Sequence, residues 1–414
     1  MKNRTTSPRR HVLACAVSLT SLSCSLALAQ EQEHGVRYAF SGYGTLAGAA
    51  HTGPSDMEFR SSLNQSIGAK SKLDLGVDSR IGVQGVADFG SGFSVTGQLL
   101  GQRLRIDKKS ATGDEFDIGA EWLFAQYSPS RQLDFRVGRV VLPAFMVSDS
   151  RNVSYAQPWL RAPLEVYAVM PLTHLDGVQA LWRIPIGASI FTIQPSYGQS
   201  EFNVSALGLP LAAKAKKVSS LNLIFESGDW LFRYGQVKNT SNLEIPFAGN
   251  DFESAPYKMK DMFTSIGAQF DNGSAVVMAE MAQRRQNDMP IDSPASYAGI
   301  PLDGVDPGNG TLADLYAQQF SGQPLAKSRS WYVAAGWRFG TILPMLSVGA
   351  QKDQKTGVVT RNVNASVRYD LKTGVALKAQ LGQYQRNDDV AFVTPVADDY
   401  RKIRVLTVGV DFVF

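Results

Sequence analysis

The chain has 414 residues, with 41 Lys and Arg against 37 Asp and Glu, two cysteines and four histidines. Four of the basic residues, Lys2, Arg4, Arg9 and Arg10, precede an apolar run, so the chain beyond that run carries as many basic as acidic groups. That balance removes the electrostatic footprint of a nucleic-acid binder, and no nucleic-acid partner is expected.

The opening "MKNRTTSPRRH" and the run "VLACAVSLTSLSCSLALA" have the form of a secretory signal, with small residues Ala27 and Ala29 where a signal peptidase reads. Cleavage after Ala29 is expected, making 1–29 the signal peptide and 30–414 a single domain. A transmembrane anchor is the competing reading, but the run is rich in Ser and Thr. A lipoprotein signal through Cys24 fits less well, because Ser21 stands where Leu is usual. Cys15 and Cys24 both lie in the leader, so the rest of the chain offers no thiol, disulfide or cysteine metal site. Beyond the leader no apolar stretch approaches the roughly 20 residues of a helical membrane span.

Alternation of period two, the primary mark of strands, then recurs along the chain. In "SRIGVQGVADF" Ile81, Val83, Ala87 and Phe89 share one face and Arg80, Gln84 and Asp88 the other. "GVQALWRI", "WYVAAGWRF", "NVNASVRY" and the closing "LTVGVDFVF" repeat the pattern. The expected strands lie near 36–50, 79–89, 93–106, 116–128, 132–142, 175–185, 188–199 and 217–227. The second half continues with 229–240, 261–271, 274–285, 328–339, 341–352, 358–370, 374–386 and 401–414. Tight turns at Gly90-Ser91-Gly92, Ile186-Gly187, Gly228-Asp229, Asn272-Gly273 and Lys372-Thr373-Gly374 alternate with long polar connections, among them 51–78, 143–174, 200–216, 241–260 and 286–327. Asn272-Gly273 predicts a two-residue hairpin with positive φ at both positions.

About sixteen strands, long enough to cross hydrocarbon at a tilt, with short turns at one end and long loops at the other, specify an all-β, sixteen-stranded antiparallel transmembrane barrel. Lipid cannot satisfy backbone polar groups, so such a sheet must close on itself. Its apolar faces then meet lipid and its polar faces enclose a lumen too wide for side chains to fill. Residues 401–414 pair with 36–50, which ties down a terminus that ends on Phe414. Trp122, Trp182, Trp230, Trp331, Trp337 and Phe89 are candidates for interfacial girdles.

The sequence resembles the Gram-negative general porins, sixteen-stranded trimeric barrels of the cell outer membrane with short periplasmic turns and long extracellular loops. The resemblance rests on "YAFSGYGTLAGA" (38–49), "SRIGVQGVADFGSGFSVTGQLL" (79–100), "AEWLFAQYSPSRQLDFRVGR" (120–139) and the terminal "VGVDFVF". It implies passive diffusion of small hydrophilic solutes and ions, a homotrimer, and contact with outer-membrane lipid and lipopolysaccharide. It also implies that Phe412 and Phe414 are read by the barrel-assembly machinery, and that the third long loop, 143–174, folds inward as a constriction.

That loop carries Asp149, Arg151, Arg161 and Glu165, while Arg80, Arg136, Arg183 and Arg233 have the parity to line the facing wall. These eight are the candidate pore constriction, where a transverse field would order passing dipoles. The plainer reading is that they pair and hold the loop down. Other lumen-facing charge, Arg338, Arg368 and Lys378 against Asp88, Asp117, Glu121, Glu226, Glu280 and Asp411, is nearly balanced, so weak or slightly anionic selectivity is expected. The alternative is a substrate-specific channel with a saturable site, for anionic solutes, along a ladder of Arg80, Arg136, Arg183 and Arg233. Parity leaves Arg139 on the lipid side and cannot hold one register through "LLGQRLR" (99–105).

No cofactor and no enzymatic activity are expected. His34, His51 and His174 form no metal pair or nucleophile elbow in sequence, and "GYGTLAG" misses the dinucleotide spacing. The acidic sixth loop lacks EF-hand spacing, and "TLADLYAQQF" (311–320) reads as one short helix.

Overall fold

The computed structural model describes residues 35–55, 57–62, 65, 68–103, 116–206, 209–244, 257–288, 327–354, 357–386 and 402–414. The expected signal peptide, most of the sixth loop with the helix expected at 311–320, and the connections around 104–115 and 387–401 lie outside these residues.

Sixteen strands form one closed antiparallel barrel in which each pairs with its sequence neighbours and the last with the first. They are β1 (Arg37–His51), β2 (Arg80–Gly90), β3 (Phe93–Arg103), β4 (Phe116–Tyr127), β5 (Leu133–Val141), β6 (His174–Ile186), β7 (Ser189–Ala206) and β8 (Leu209–Ser227). The circuit continues through β9 (Trp230–Glu244), β10 (Tyr257–Asp271), β11 (Ala275–Asp288), β12 (Lys327–Trp337), β13 (Ile342–Asp353), β14 (Val359–Lys372), β15 (Val375–Arg386) and β16 (Lys402–Val413). The closing seam sets Leu46 opposite Val410 and His51 opposite Val405. Phe414 completes it: its N–H donates to Gly42 O at 2.9 Å and its carbonyl accepts from Gly42 N at 2.8 Å.

Alternation translates directly into inside and outside. Ile81, Val83, Trp331, Val333, Val363, Leu406 and Val408 stand on the outer surface, whereas Thr407 and Asp411 are fully buried on the inner one. An exterior this apolar is stable against hydrocarbon, and closure leaves no unpaired strand edge in it. Among the described residues no helix is long and apolar enough to cross a membrane.

Three local expectations are corrected, and one open register is resolved. The connection 200–216 is mostly strand, because β7 and β8 continue as a long hairpin. At Asn272-Gly273 only Gly273 takes positive φ (85°), and the Asn272 side chain caps the turn by accepting from Ser274 and Ala275 N–H. Residues 272–274 therefore form a three-residue connection instead of a two-residue one. The register conflict near 99–105 is resolved by a bulge: Gln98 pairs with Trp122 but Leu99 with Ala120, skipping Glu121. The bulge leaves Glu121 buried and packs Trp122 against the interior cluster, so Trp122 is not a girdle residue. Trp182, Trp230, Trp331, Trp337 and Phe89 are exposed on the outer surface.

Candidate functional site

Between β5 and β6 the chain leaves the sheet with two 3₁₀ turns, Ser148–Ser150 and Ser154–Ala156, and one helical turn, α1 (Leu164–Tyr167), which follows Pro163. Nearly every residue from 140 to 172 is buried or half-buried, and its partners are inward-facing residues of the wall. Phe145, Met146, Trp159, Val166, Val169 and Met170 pack with Val237, Phe263, Met278, Tyr332, Leu343 and Met345 in one apolar cluster. Two glycines admit the backbone. A side chain at Gly235 would come within 2.6 Å of Ala144 O, and one at Gly267 within 2.5 Å of Met146 Cγ. Burial at roughly 25 cal/mol per Å² of apolar area is the main force on this side of the segment.

On the opposite side the fastening is polar. Lys378 and Asp411 form an ion pair of 2.7 Å in which both side chains are buried. Lys378 Nζ also donates to the carbonyls of Ser154 (2.5 Å), Gln157 (2.7 Å) and Trp159 (3.1 Å). Asp411 accepts from Thr45 Oγ1 at 2.7 Å and Ser154 Oγ at 3.1 Å. Arg368 donates to Tyr155 O and Gln157 O, and Gln380 Oε1 accepts from the N–H groups of Leu160 and Arg161. The apolar side has a polar fastener of its own: Glu280 on β11 accepts from Met146 N at 3.0 Å and from the Tyr167 hydroxyl at 2.7 Å. Buried charges are thus matched by charges and backbone dipoles, as burial requires.

The eight charged residues singled out from sequence divide into four groups. Arg233 is buried and donates to Met146 O (3.0 Å) and Asp149 (3.1 Å), so this pair anchors the start of the segment. Arg151 meets Glu121 at 2.9 Å, and Arg161 is buried against Asp78 with its guanidinium 4.5 Å above the Phe59 ring. Arg136 leans on Gln126 at 2.8 Å and on the Phe124 ring, while Arg80 reaches Arg151 O at 3.4 Å. Arg183 does not join them. It pairs with Asp134 at 2.8 Å, beside the 128–132 turn to which its own N–H is bonded. Alternation fixes which face a side chain takes but not its height along the barrel, and that is why Arg183 was grouped with the others.

Glu165 stands apart. It is 3% exposed, with no well-formed hydrogen bond to either carboxylate oxygen. Burial pushes its carboxyl up to about 7, with its own N–H and the Asn362 amide opposing the rise. Arg139 stands on the outer face beside Leu123, where Asp176 across the strand pair neutralises it with bonds of 2.7 and 2.8 Å.

Sequence reasoning missed a second inward segment. Met57 and Phe59 of the 51–78 connection pack with Leu164, Ala168, Tyr384, Ile403 and Val405. His51 braces this connection, its Nε2 lying 3.1 Å from Met57 O and 3.0 Å from Ala69 O. Asp78, Glu121 and Glu280 complete the set of loop fasteners. The parity of Glu121 and Glu280 was visible, but their partners on the loop were not. His174 is buried beside Thr173. Among the described residues no group of three or more potential metal ligands gathers.

No protein-family model matches the sequence, and no curated protein matches it significantly. Solved structures match in fold. The anion-selective porin from Comamonas acidovorans superposes with a TM-score of 0.56 at 11% identity, over 92% of this chain and 100% of that one. Outer-membrane-expressed OmpT of Vibrio cholerae gives 0.55 at 10% identity, over 93% and 99%. Salmonella typhi OmpF, in a complex with daunomycin, gives 0.55 at 13%, over 91% and 97%. Likeness at these identities speaks for the fold: the chain has the architecture of the outer-membrane porin barrels, with an exterior suited to that membrane.

Proposed function

We propose that the protein is an outer-membrane channel of the porin kind, through which small hydrophilic solutes and ions diffuse passively. The observation that carries this is the closed sixteen-stranded barrel, a cylinder too wide for wall side chains alone to fill. Segment 143–174 acts as its constriction. Because its apolar half is seated on β8–β13, the passage runs off-centre, past the arginines of β2 and β3. No bond is made or broken in transport; charge at the narrowing sets a modest ion preference.

The protein works as a homotrimer in contact with lipid and lipopolysaccharide. One matched structure, OmpT of Vibrio cholerae, is described in a trimer form. Phe412 and Phe414 serve as the mark read by the barrel-assembly machinery; their rings lie over Gly44 and Gly42 of β1, which have no side chain to obstruct them.

A planar-bilayer recording of the purified protein tests the proposal. The expected result is current steps arriving in threes, conductance proportional to salt, and a small reversal potential under a salt gradient. A protein that inserts as a folded barrel and passes no current refutes the channel.

A further inference from the structure

The inward connections 51–78 and 142–173 enclose, together with β2 and β3, a cavity of about 150 Å³. Among the described residues, every charged side chain lining it is an arginine: Arg80, Arg103, Arg151 and Arg161. The carboxylates that pair with them do not line it. Asp74 holds Arg103 and Glu121 holds Arg151, each at 2.9 Å, and Asp78 holds Arg161. Arg80 forms no ion pair with a carboxylate among the described residues. It donates only to the carbonyls of Asp78 and Arg151, both at 3.4 Å, which are long bonds that an anionic acceptor would outcompete.

The lining also includes an apolar, largely aromatic group, Phe145, Trp159, Tyr167 and Met170. The indole N–H of Trp159 is buried and has no acceptor among the described residues. The lining thus offers both a cationic part and an aromatic part, around a volume that holds a benzene-sized ring. A simple electrolyte path needs only the first part.

We propose that this cavity binds an aromatic monocarboxylate, with the carboxylate seated between Arg80 and Arg151 and the ring against Trp159 and Tyr167. The proposal rests on the channel reading and narrows it, giving the passage a saturable site for one class of solute. Guanidinium supplies paired donors matched to a carboxylate, and the aromatic wall favours a planar ring over an aliphatic chain.

The test uses the full barrel in planar bilayers, with benzoate as probe. Millimolar benzoate should interrupt the salt current, whereas benzyl alcohol, with the ring but no charge, should not. Acetate, with the charge but no ring, should need at least about tenfold more. Arg80→Gln should raise the half-blocking benzoate concentration by about tenfold or more, the loss of one charge-assisted hydrogen bond, and Arg80→Lys should recover part of it. Heat-modifiable gel mobility shows that both variants fold. Equal block by acetate overturns the aromatic half of the site, and equal block by benzyl alcohol overturns the cationic half. A conducting channel indifferent to benzoate overturns the site and leaves the channel standing. Calorimetric binding of benzoate to a folded but silent barrel would keep the site and overturn the channel.

Discussion

Replacing Lys378 by Met removes the donor that holds three loop carbonyls and strips Asp411 of its counter-charge in a site where both groups are buried. Removing one partner of a buried pair costs about 3–5 kcal/mol. At 1.36 kcal/mol per power of ten, that shifts the seated-to-released ratio of residues 154–159 by two to four decades. The rest of the segment should stay in place, because Arg233 and Glu280 hold its start and the apolar cluster holds α1. The expected outcome is a folded barrel with a larger and noisier single-channel current. Ser154→Cys, nearly isosteric and 4% exposed in the parent, should react with a charged thiol reagent slowly in the parent background and at least a hundredfold faster with Lys378→Met. Adding Asp411→Asn should restore barrel stability but not the seat, since the three carbonyls still lack a donor. If Lys378→Met folds with unchanged current and unchanged labelling, the pair does not fasten the loop.

The seat should also depend on pH through Glu165. Its carboxyl titrates near 7 when buried and near the ordinary 4.5 when released, so the seated loop retains a proton across that interval. Stability is therefore full below pH 4.5, falls as pH rises to 7 and levels off above, by about 3 kcal/mol in all. Glu165→Gln should flatten the pH profile of thiol labelling at Ala168→Cys, 7% exposed just after α1; identical slopes with and without it refute the assignment. On the outside, Leu346 is 63% exposed on β13, and Leu346→Arg should cost about 2–4 kcal/mol in vesicle unfolding if this face meets hydrocarbon. A cost below about 0.5 kcal/mol is that of an ordinary solvated surface and refutes a lipid-facing position.

The strands were legible because a wall between lipid and water writes its polarity into alternate residues, as in Leu406, Thr407 and Val408 of β16. The pattern weakens where the inner face is not wet. In "VVMAEMA" (276–282), Val277 and Met281 face outward while Val276 and Met278 face inward onto the apolar cluster, so both faces are greasy. The inward course of 51–78 was hidden for another reason. "SSLNQSIGAKSK" (61–72) reads as a solvated loop, and what draws the connection inside, Phe59 against Tyr384 at 5.3 Å and Asp78 against Arg161, joins positions far apart in sequence. Of the charged candidates, parity correctly gave Arg233 and Arg80 an inward face, but pairing decides their roles, and pairing depends on loop geometry that composition does not encode.

The bond from Ser154 to Asp411 spans 257 residues and ends on the last strand. A chain delivered amino end first therefore leaves the stretch around Ser154 without its landing place until the final strand arrives. Shutting the cylinder and furnishing its interior become a single event. A polypeptide arrested before β16 would lack both its seam and the carboxylate that seats Ser154, so an unclosed barrel is also one whose constriction is loosened at that point.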